Sequence, residues 1–383
     1  MIKVVLVSSL QPDTNYSQYL CQELVKDVDN LVVYTDKNPE NTKLSGCGDV
    51  RLVWNKNLMC ILQIVGQLIK DKPDIVHIQH EMNMYGGLIT AVSFPILLML
   101  AKLTGVKVVT TVHAVVDPRL IDGSFVSLFK GQDSKIPPVV LKLFFGYLYR
   151  SIGLFSDKII VHTNMLKGVL VDSYRISKDK VLVVPHGVPS LHLENLRNDK
   201  YFLYFGYIVK RKGLEKVVEG FKEFLEKNKN SEFKLVLAGG VIKGQEFAFE
   251  ELKDFVKESN LEAKIIFTGF LDGKSIDEYF RHAYAVVIPS VISIAASGPF
   301  ALAISYGKCV LASRIGNFEE EISDGVDGIL VKENKWMEAF DEVAKDLEKV
   351  KSIEKNVVKK AESRQWEKVA KIHSEIYKKV LES

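Results

Sequence analysis

Residues 284–315 read YAVVIPSVISIAASGPFALAISYGKCVLASRI. The apolar, β-branched run at 286–288 predicts a short buried strand, ended by Pro289-Ser290. Ser297-Gly298 then opens an apolar run at 299–306 that suits a helix with proline in its first turn. Gly307-Lys308 stops this helix, and residues 309–312 read as a second buried strand. The unit is strand, small-residue loop, helix, strand. Backbone N–H groups at such a helix start are unpaired and carry the positive end of the helix dipole, so a phosphate is well received there.

A chain of 383 residues is long for one core and implies two domains of roughly 190 residues each. A content of 47% apolar and 26% charged residues is that of an ordinary globular protein. The 51 basic and 48 acidic residues leave a net charge of +3, which gives no bulk attraction for nucleic acid. Cys21, Cys47, Cys60 and Cys309 lack C-x-x-C spacing and read as buried free thiols in a reducing cytoplasm, without disulfide or metal site. The first seven residues read as a strand, without the apolar region and cleavage site of a signal peptide. The most apolar run, Leu88–Leu103, holds Ser93 and Pro95 and falls short of the ~20 residues of a membrane span, so no transmembrane segment is expected.

Short β-rich runs alternate with helical patterns along the whole chain, which predicts parallel sheets built from βαβ units. Strands are expected at 3–8, 30–34, 50–54, 75–78, 107–112, 158–161 and 181–184, with helices at 16–28, 58–70, 88–103 and 139–154. Pro185-His186-Gly187-Val188-Pro189 breaks the pattern before a second series starts at Tyr201. That series has strands at 202–205, 233–238, 265–268, 286–288, 310–313 and 328–331, and helices at 214–228, 246–259, 275–282, 299–306 and 318–323. Only helical patterns follow residue 333, ending at 366–381. Open α/β sheets bind ligands at the carboxyl ends of their strands, so two such domains imply a cleft.

Residues 205–213, FGYIVKRKG, link the first strand of the second series to a helix. Three cations beside a helix-opening glycine suit a diphosphate. A solvated basic loop has the same composition, but the position at a strand's carboxyl end favours the diphosphate.

Taken in order, FGYIVKRKGLEKVVEGF, LVLAGG, IIFTGFLD, VVIPS…SG…ALAISYGKCVLAS and IGNFEEEISDGVDGILV resemble the donor-binding domain of glycosyltransferase family 4. DIVHIQHEMNMYGG, VVTTVHAV and SDKIIVHTNMLKGVLVDSYRISKDKVLVVPHGV are similar to its acceptor domain. The resemblance covers nearly the whole chain. It implies the α/β GT-B fold, two Rossmann-like domains whose parallel sheets face each other across a cleft. Residues 1–187 would form the acceptor domain, 188–200 a linker and 201–365 the donor domain, with the helix at 366–383 packing back on the first domain. The implied activity is retaining transfer of a hexose of mannose or glucose type from a UDP- or GDP-linked donor, with no metal or cofactor required. The acceptor would be a hydroxyl of a glycan, a lipid-linked or a small molecule, in the cytoplasm, with no nucleic acid involved.

The resemblance carries over position by position. Lys212-Gly213 matches the family's pyrophosphate-binding pair. The companion arginine position falls on Tyr207, and Arg211 or Lys210 is expected to supply the charge, Arg211 by preference because its planar fork grips phosphate oxygens in pairs. Gly206, Gly239 and Gly240 match glycine turns near the nucleotide, although an ordinary strand-end turn has the same residues. The family's two glutamates fall on Ile294 and Leu302, neither acidic. Ser297 and Gly298 are therefore expected to hold the diphosphate, and Ser297 suits a plain helix cap equally. Glu320 matches a recurrent glutamate that can reach the ribose or simply meet its helix dipole. His113 matches the histidine beside the donor sugar and is the catalytic candidate, with a core histidine as the alternative. Glu81, Gly86 and Gly87 match the acidic residue and glycine pair at the cleft edge, and His186 ends a strand near the hinge. His77 and His80 have metal-like spacing, but strand alternation puts them on opposite faces and no metal site is expected. Residues 8–13 lack the glycine pair of many relatives, which leaves that loop an acceptor role. Residues 139–154 are apolar with Lys142 and Arg150 eight positions apart, which suits either a helix against anionic lipid or one packed under the sheet. A non-catalytic homologue and a nucleotide-sugar 2-epimerase are the alternative functions.

Overall fold

Strands buried on both faces need a helical layer on each side, and nearly every β-rich run in this chain is followed by a helix that supplies part of one. The computed structural model describes residues 2–10, 15–38, 46–130, 136–242 and 244–382. Its first half runs β1 (Lys3–Val7), α1 (Asn15–Leu24), β2 (Asn30–Asp36), β3 (Asp49–Trp54), α2 (Cys60–Asp71), β4 (Ile75–His80) and α3 (Leu88–Leu103). It continues with β5 (Lys107–Val112), α4 (Gly123–Lys130), α5 (Pro138–Phe155), β6 (Lys158–Val161), α6 (Asn164–Gly168) and β7 (Val181–Val183). The second half runs β8 (Tyr201–Phe205), α7 (Leu214–Lys227), β9 (Lys234–Ala238), α8 (Glu246–Glu258), β10 (Ile265–Gly269), α9 (Gly273–His282) and β11 (Ala285–Ile288). Then come α10 (Gly298–Ser305), β12 (Val310–Ser313), α11 (Gly316–Glu321), β13 (Ile329–Val331), α12 (Trp336–Lys345), α13 (Leu347–Ser363) and α14 (Trp366–Glu382).

All pairings within these strands are parallel. One seven-stranded sheet has the order β3-β2-β1-β4-β5-β6-β7, and a six-stranded sheet has the order β10-β9-β8-β11-β12-β13. Each order reverses once, between β1 and β4 and between β8 and β11, and at such switch points loops diverge and leave a crevice. The expected α/β architecture is therefore present as two doubly wound sheets. Gln11, Pro12 and Asp13 of the N-terminal loop lie outside the described residues.

The chain crosses between the halves twice at one place. Val188 N donates to Arg364 O at 2.8 Å, and Val188 bridges Gln365. A β-carbon on Gly187 would fall 2.3 Å from the Trp366 ring, so the close crossing requires glycine there. Beyond it, α14 buries Trp366, Val369, Ala370, Tyr377 and Val380 in a cluster with Val4 and Leu6 of β1 and with α1.

Among the described residues α5 alone is long and apolar enough to cross a bilayer by length and composition. It is nonetheless built into the first sheet's cover. Phe145, Leu148, Tyr149 and Ile152 are buried, and the Tyr149 hydroxyl donates to Ala114 O at 3.0 Å and accepts from Val116 N at 3.1 Å.

The expectation of four free thiols is corrected. Cys21 on α1 and Cys47 ahead of β3 are joined in a disulfide, while Cys60 and Cys309 are free and buried. The pair is 26 residues apart, and only the packing of α1 beside the β2–β3 connection brings it together, so no local spacing signals it. Closing a loop of that length restricts the unfolded chain. Cys21→Ser is expected to cost about 3 kcal/mol, read from denaturant unfolding of oxidised protein. An unchanged midpoint would show that the crosslink adds no stability.

Candidate functional site

The switch points of the two sheets face one another. On the second sheet, β8 ends in the 205–213 loop. Lys210–Lys212 form one turn of 3-10 helix, and Gly213, at φ +64°, caps the start of α7. The three cations fare differently. Lys210 is neutralised by Glu215 at 2.6 Å and Glu251 at 2.5 Å. Arg211 lies over the Phe129 ring of α4, 5.9 Å from its centroid, with the charge of Glu81 nearby. The Lys212 ammonium has no hydrogen bond or ion pair among the described residues, and burial, then the Arg211 charge, lower its pKa to about 8.

Two glycine turns lie beside this loop. Gly206 N donates to Ala238 O at 2.9 Å and Ile208 N to Gly240 O at 3.0 Å. A β-carbon on Gly239 would sit 1.9 Å from Gly206 O, so backbone packs directly on backbone. On Gly240 it would strike the Phe270 ring. Pro299, in the first turn of α10, approaches Gly206, which brings the helix start next to both turns. There the Ser297 hydroxyl accepts from Phe300 N at 3.2 Å, and Gly298 faces open space. Arg211, Lys212, Gly206, Gly239 and the α10 N-terminus are thus gathered at one end of the sheet. Leu302 points into the second core from α10.

The loop from β11 to Ser297 crosses to the first sheet. Val115 N donates to Ile294 O at 2.7 Å, Ala114 bridges Ala295 in antiparallel sense, and Ile292 and Ile294 pack on the first core. Asn317 ties this loop down, its Nδ2 donating to Ala295 O at 2.7 Å and its Oδ1 accepting from Thr163 Oγ1 at 2.6 Å. Glu320 accepts from Asn164 N and Asn164 Nδ2 at 2.7 Å and from Met165 N at 3.0 Å. It therefore caps α6 of the opposite half, where the sequence suggested a ribose contact or its own helix dipole.

His113 ends β5 at the cleft with both ring nitrogens engaged. Nε2 is 2.8 Å from Gln79 Oε1 and Nδ1 is 3.1 Å from His162 Nε2. His162 Nδ1–H donates to Val184 O at 3.0 Å. Tyr16, His186 and Trp366 pack edge-on around them, and His186 Nδ1–H donates to Gly187 O at 2.7 Å, as a turn residue does. His77, on the face opposite His80, bonds Tyr377 and Thr111, while His80 packs on Phe94. At the rim, Gly86 has φ +140° and little room for a side chain beside Thr90 and Lys56 O, and Gly87 opens α3. Glu81 is exposed beside them.

Gln79, His162, Thr163, Asn317 and Phe129 escaped the sequence reading. One signal existed: His113 and His162 each follow a valine at the end of adjacent strands, β5 and β6, so their rings are set side by side.

The family profile described as Glycosyl transferases group 1 matches residues 193–364, and that described as Glycosyltransferase Family 4 matches residues 14–190. The fold is that of the GT-B glycosyltransferases, and the chain belongs to glycosyltransferase family 4. An uncharacterised glycosyltransferase of Methanocaldococcus jannaschii is 26% identical over 256 residues, 59% of this chain and 61% of that one. D-inositol 3-phosphate glycosyltransferase of Paenarthrobacter aurescens is 25% identical over 242 residues, 59% of this chain and 58% of that one. The match thus spans about three fifths of the length of these curated relatives. The Anabaena HepE structure with UDP has the same fold, at TM-score 0.75 and 14% identity, over 99% of this chain and 100% of that one.

Burial keeps the cleft histidines neutral. It lowers His162 to about 3 and His186 to about 4, and drives His113 well below its usual value. In the unfolded chain these groups take a proton near pH 6.5, so below that pH the unfolded state binds more protons and stability falls. Stability is expected to be full above pH 6.5 and to drop by about 1.4 kcal/mol per pH unit for each such histidine down to pH 4. Melting temperatures from pH 7.5 to 4.5 read this, and His162→Gln should lessen the slope.

Proposed function

We propose that the chain is a retaining glycosyltransferase that moves a hexose, of mannose or glucose type, from a UDP- or GDP-linked donor to a hydroxyl of a glycan, lipid-linked or small-molecule acceptor. The observation that carries this reading is the pair of cations Arg211 and Lys212, which hold no ion pair among the described residues, gathered with the open helix start at Ser297-Gly298. A nucleoside diphosphate complements that arrangement in charge and in hydrogen-bond donors. A relative named for inositol-phosphate glycosyl transfer, and neighbours of the same fold solved in complex with UDP and UDP-glucose, support a nucleotide-sugar donor.

In this reading Gly206, Gly239 and Gly240 let the nucleotide lie close to the backbone. Arg211, Lys212, Gly213, Ser297 and Gly298 hold the diphosphate, and Glu81, Gly86 and Gly87 border the acceptor. His113 meets the donor sugar by exchanging its Gln79 contact for a sugar hydroxyl. The bond between the anomeric carbon and the phosphate oxygen breaks, and its electron pair passes to that oxygen. Lys212, Arg211 and the α10 N–H groups neutralise the charge that develops there. The acceptor hydroxyl adds from the same face and gives its proton to the departing phosphate, so no metal, cofactor or side-chain base is needed. In this reading the protein acts in the cytoplasm. Ile294 and Leu302, apolar where the family has acids, favour a donor-binding but non-catalytic homologue as the second reading.

A thermal-shift screen of UDP- and GDP-sugars, followed by turnover of those that bind, tests the proposal, since a ligand of the folded state raises its melting point. Binding without turnover would select the second reading. Lys212→Ala is expected to lose at least ~2 kcal/mol of transition-state stabilisation, about thirtyfold in kcat/KM. Unchanged kinetics would show that the basic loop is only surface.

Donor affinity should also depend on alkaline pH. The diphosphate binds the charged ammonium, so affinity holds below pH 8, the pKa of Lys212 in the free protein, and weakens roughly tenfold per unit above it. Isothermal titration at several pH values reads this, and Lys212→Arg should flatten the profile.

A further inference from the structure

We propose that the outer face of α2, α3 and α5 docks on an anionic lipid bilayer, and that the acceptor is therefore presented by that membrane. The proposal rests on the transferase reading and narrows its acceptor to the lipid-linked class.

The three helices form one layer on the first sheet, α2 against α3 and α3 against α5. Each buries an apolar stripe inward. Two of them carry a second apolar stripe outward. On α3 this stripe is Leu88, Ile89, Val92, Ile96, Met99 and Leu103, spaced three or four residues apart after the first pair, with Leu88 71% and Leu103 75% exposed. On α5 it is Val139, Val140, Leu143, Tyr147 and Leu154, with Leu143 70% exposed. Leu62 and Ile69 extend it onto α2. A helix in a water-facing layer normally turns polar residues outward. An apolar face this broad marks a binding surface.

Charge selects the partner. Across α2, α3 and α5 the only acid is Asp71, and it is occupied by Arg51 at 2.6 Å and by the Tyr34 hydroxyl. The exposed charges of these helices include Lys70, Lys142 and Arg150, all positive. Exposed hydrocarbon flanked by cations without acids is the pattern that anionic headgroups and the acyl boundary accept together. A two-fold contact with a second copy would set these same cations against each other with no acid to answer them. Tyr147, half-exposed among the aliphatic side chains, has the amphipathic ring favoured at the headgroup level.

Position links the face to the cleft. An open groove of about 530 Å³ lined by Leu58, Met59, Leu88 and Ile89 reaches Gly87 at the cleft rim. A bilayer seated on the face would bring headgroups to that rim, beside Glu81 and the end of β4.

Flotation of the full chain with phosphatidylglycerol–phosphatidylcholine vesicles, compared with phosphatidylcholine alone, tests the proposal. Wild-type protein is expected to float with the anionic vesicles and to stay behind with the neutral ones. Ile96→Glu with Leu143→Glu, both on the solvent side, is expected to weaken vesicle binding at least ~tenfold while keeping the melting temperature. Lys142→Glu gives a second, milder readout of the charge. Absence of flotation, equal binding to both vesicles, or a dimer in sedimentation that the double substitution dissolves would each overturn the proposal. Donor binding is read without vesicles, so failure of the donor to bind sinks the transferase reading, and failure to float sinks this one.

Discussion

The arrangement across the cleft depends on one backbone contact, the hydrogen bond from Val115 N to Ile294 O beside the Ala114–Ala295 bridge. It joins the end of β5 to the loop that leads into α10, and so sets the position of His113 relative to Ser297. Asn317 and Thr163 brace the same loop, and Glu320 caps α6 from the opposite half. Each such bond contributes only about 1 kcal/mol net, so the set holds by number and by the burial of Ile292 and Ile294. An apolar residue at 294 fits this role well: the backbone makes the bond, and the side chain anchors the loop in the first core.

The basic loop shows the opposite economy. Of three consecutive cations, Lys210 is fully paired and Arg211 is met by an aromatic face. Lys212 is half-buried and has no hydrogen-bond or ion-pair partner among the described residues. A cation drawn partly out of water without a partner opposes folding, and another contribution must offset that cost. An anion at the α10 helix start would do so, because it would pair with the same cation whose desolvation opposes folding.

Much of the fold is legible in the residues because buried parallel strands appear as apolar β-branched runs and their helices as 3.6-residue patterns. Most strands and helices differ from their expected bounds by one or two residues, whereas α1 stops four residues early. The short α4, GSFVSLFK, carries no sequence expectation, since eight residues make too little periodicity to register. The basic loop and the helix start at Ser297 are local in sequence, and they were legible for that reason. What escaped is long-range. Cys21 meets Cys47, Glu320 meets Asn164, and His113 meets both Gln79 and His162 only after the sheets have formed. None of these pairs leaves a periodic or spacing trace in the chain.

The last helix has a consequence for synthesis. β1 is made long before α14, yet Val4 and Leu6 share a core with Val369, Ala370 and Tyr377, and the His77 ring bonds the Tyr377 hydroxyl. The first sheet therefore stays only partly covered on that side, by α1, until α14 has left the ribosome. By then the whole second sheet has been made and is free to fold on its own core. The half that holds β1 is thus completed only after the second sheet has been made, and loss of α14 would injure the first sheet's core and spare the second's.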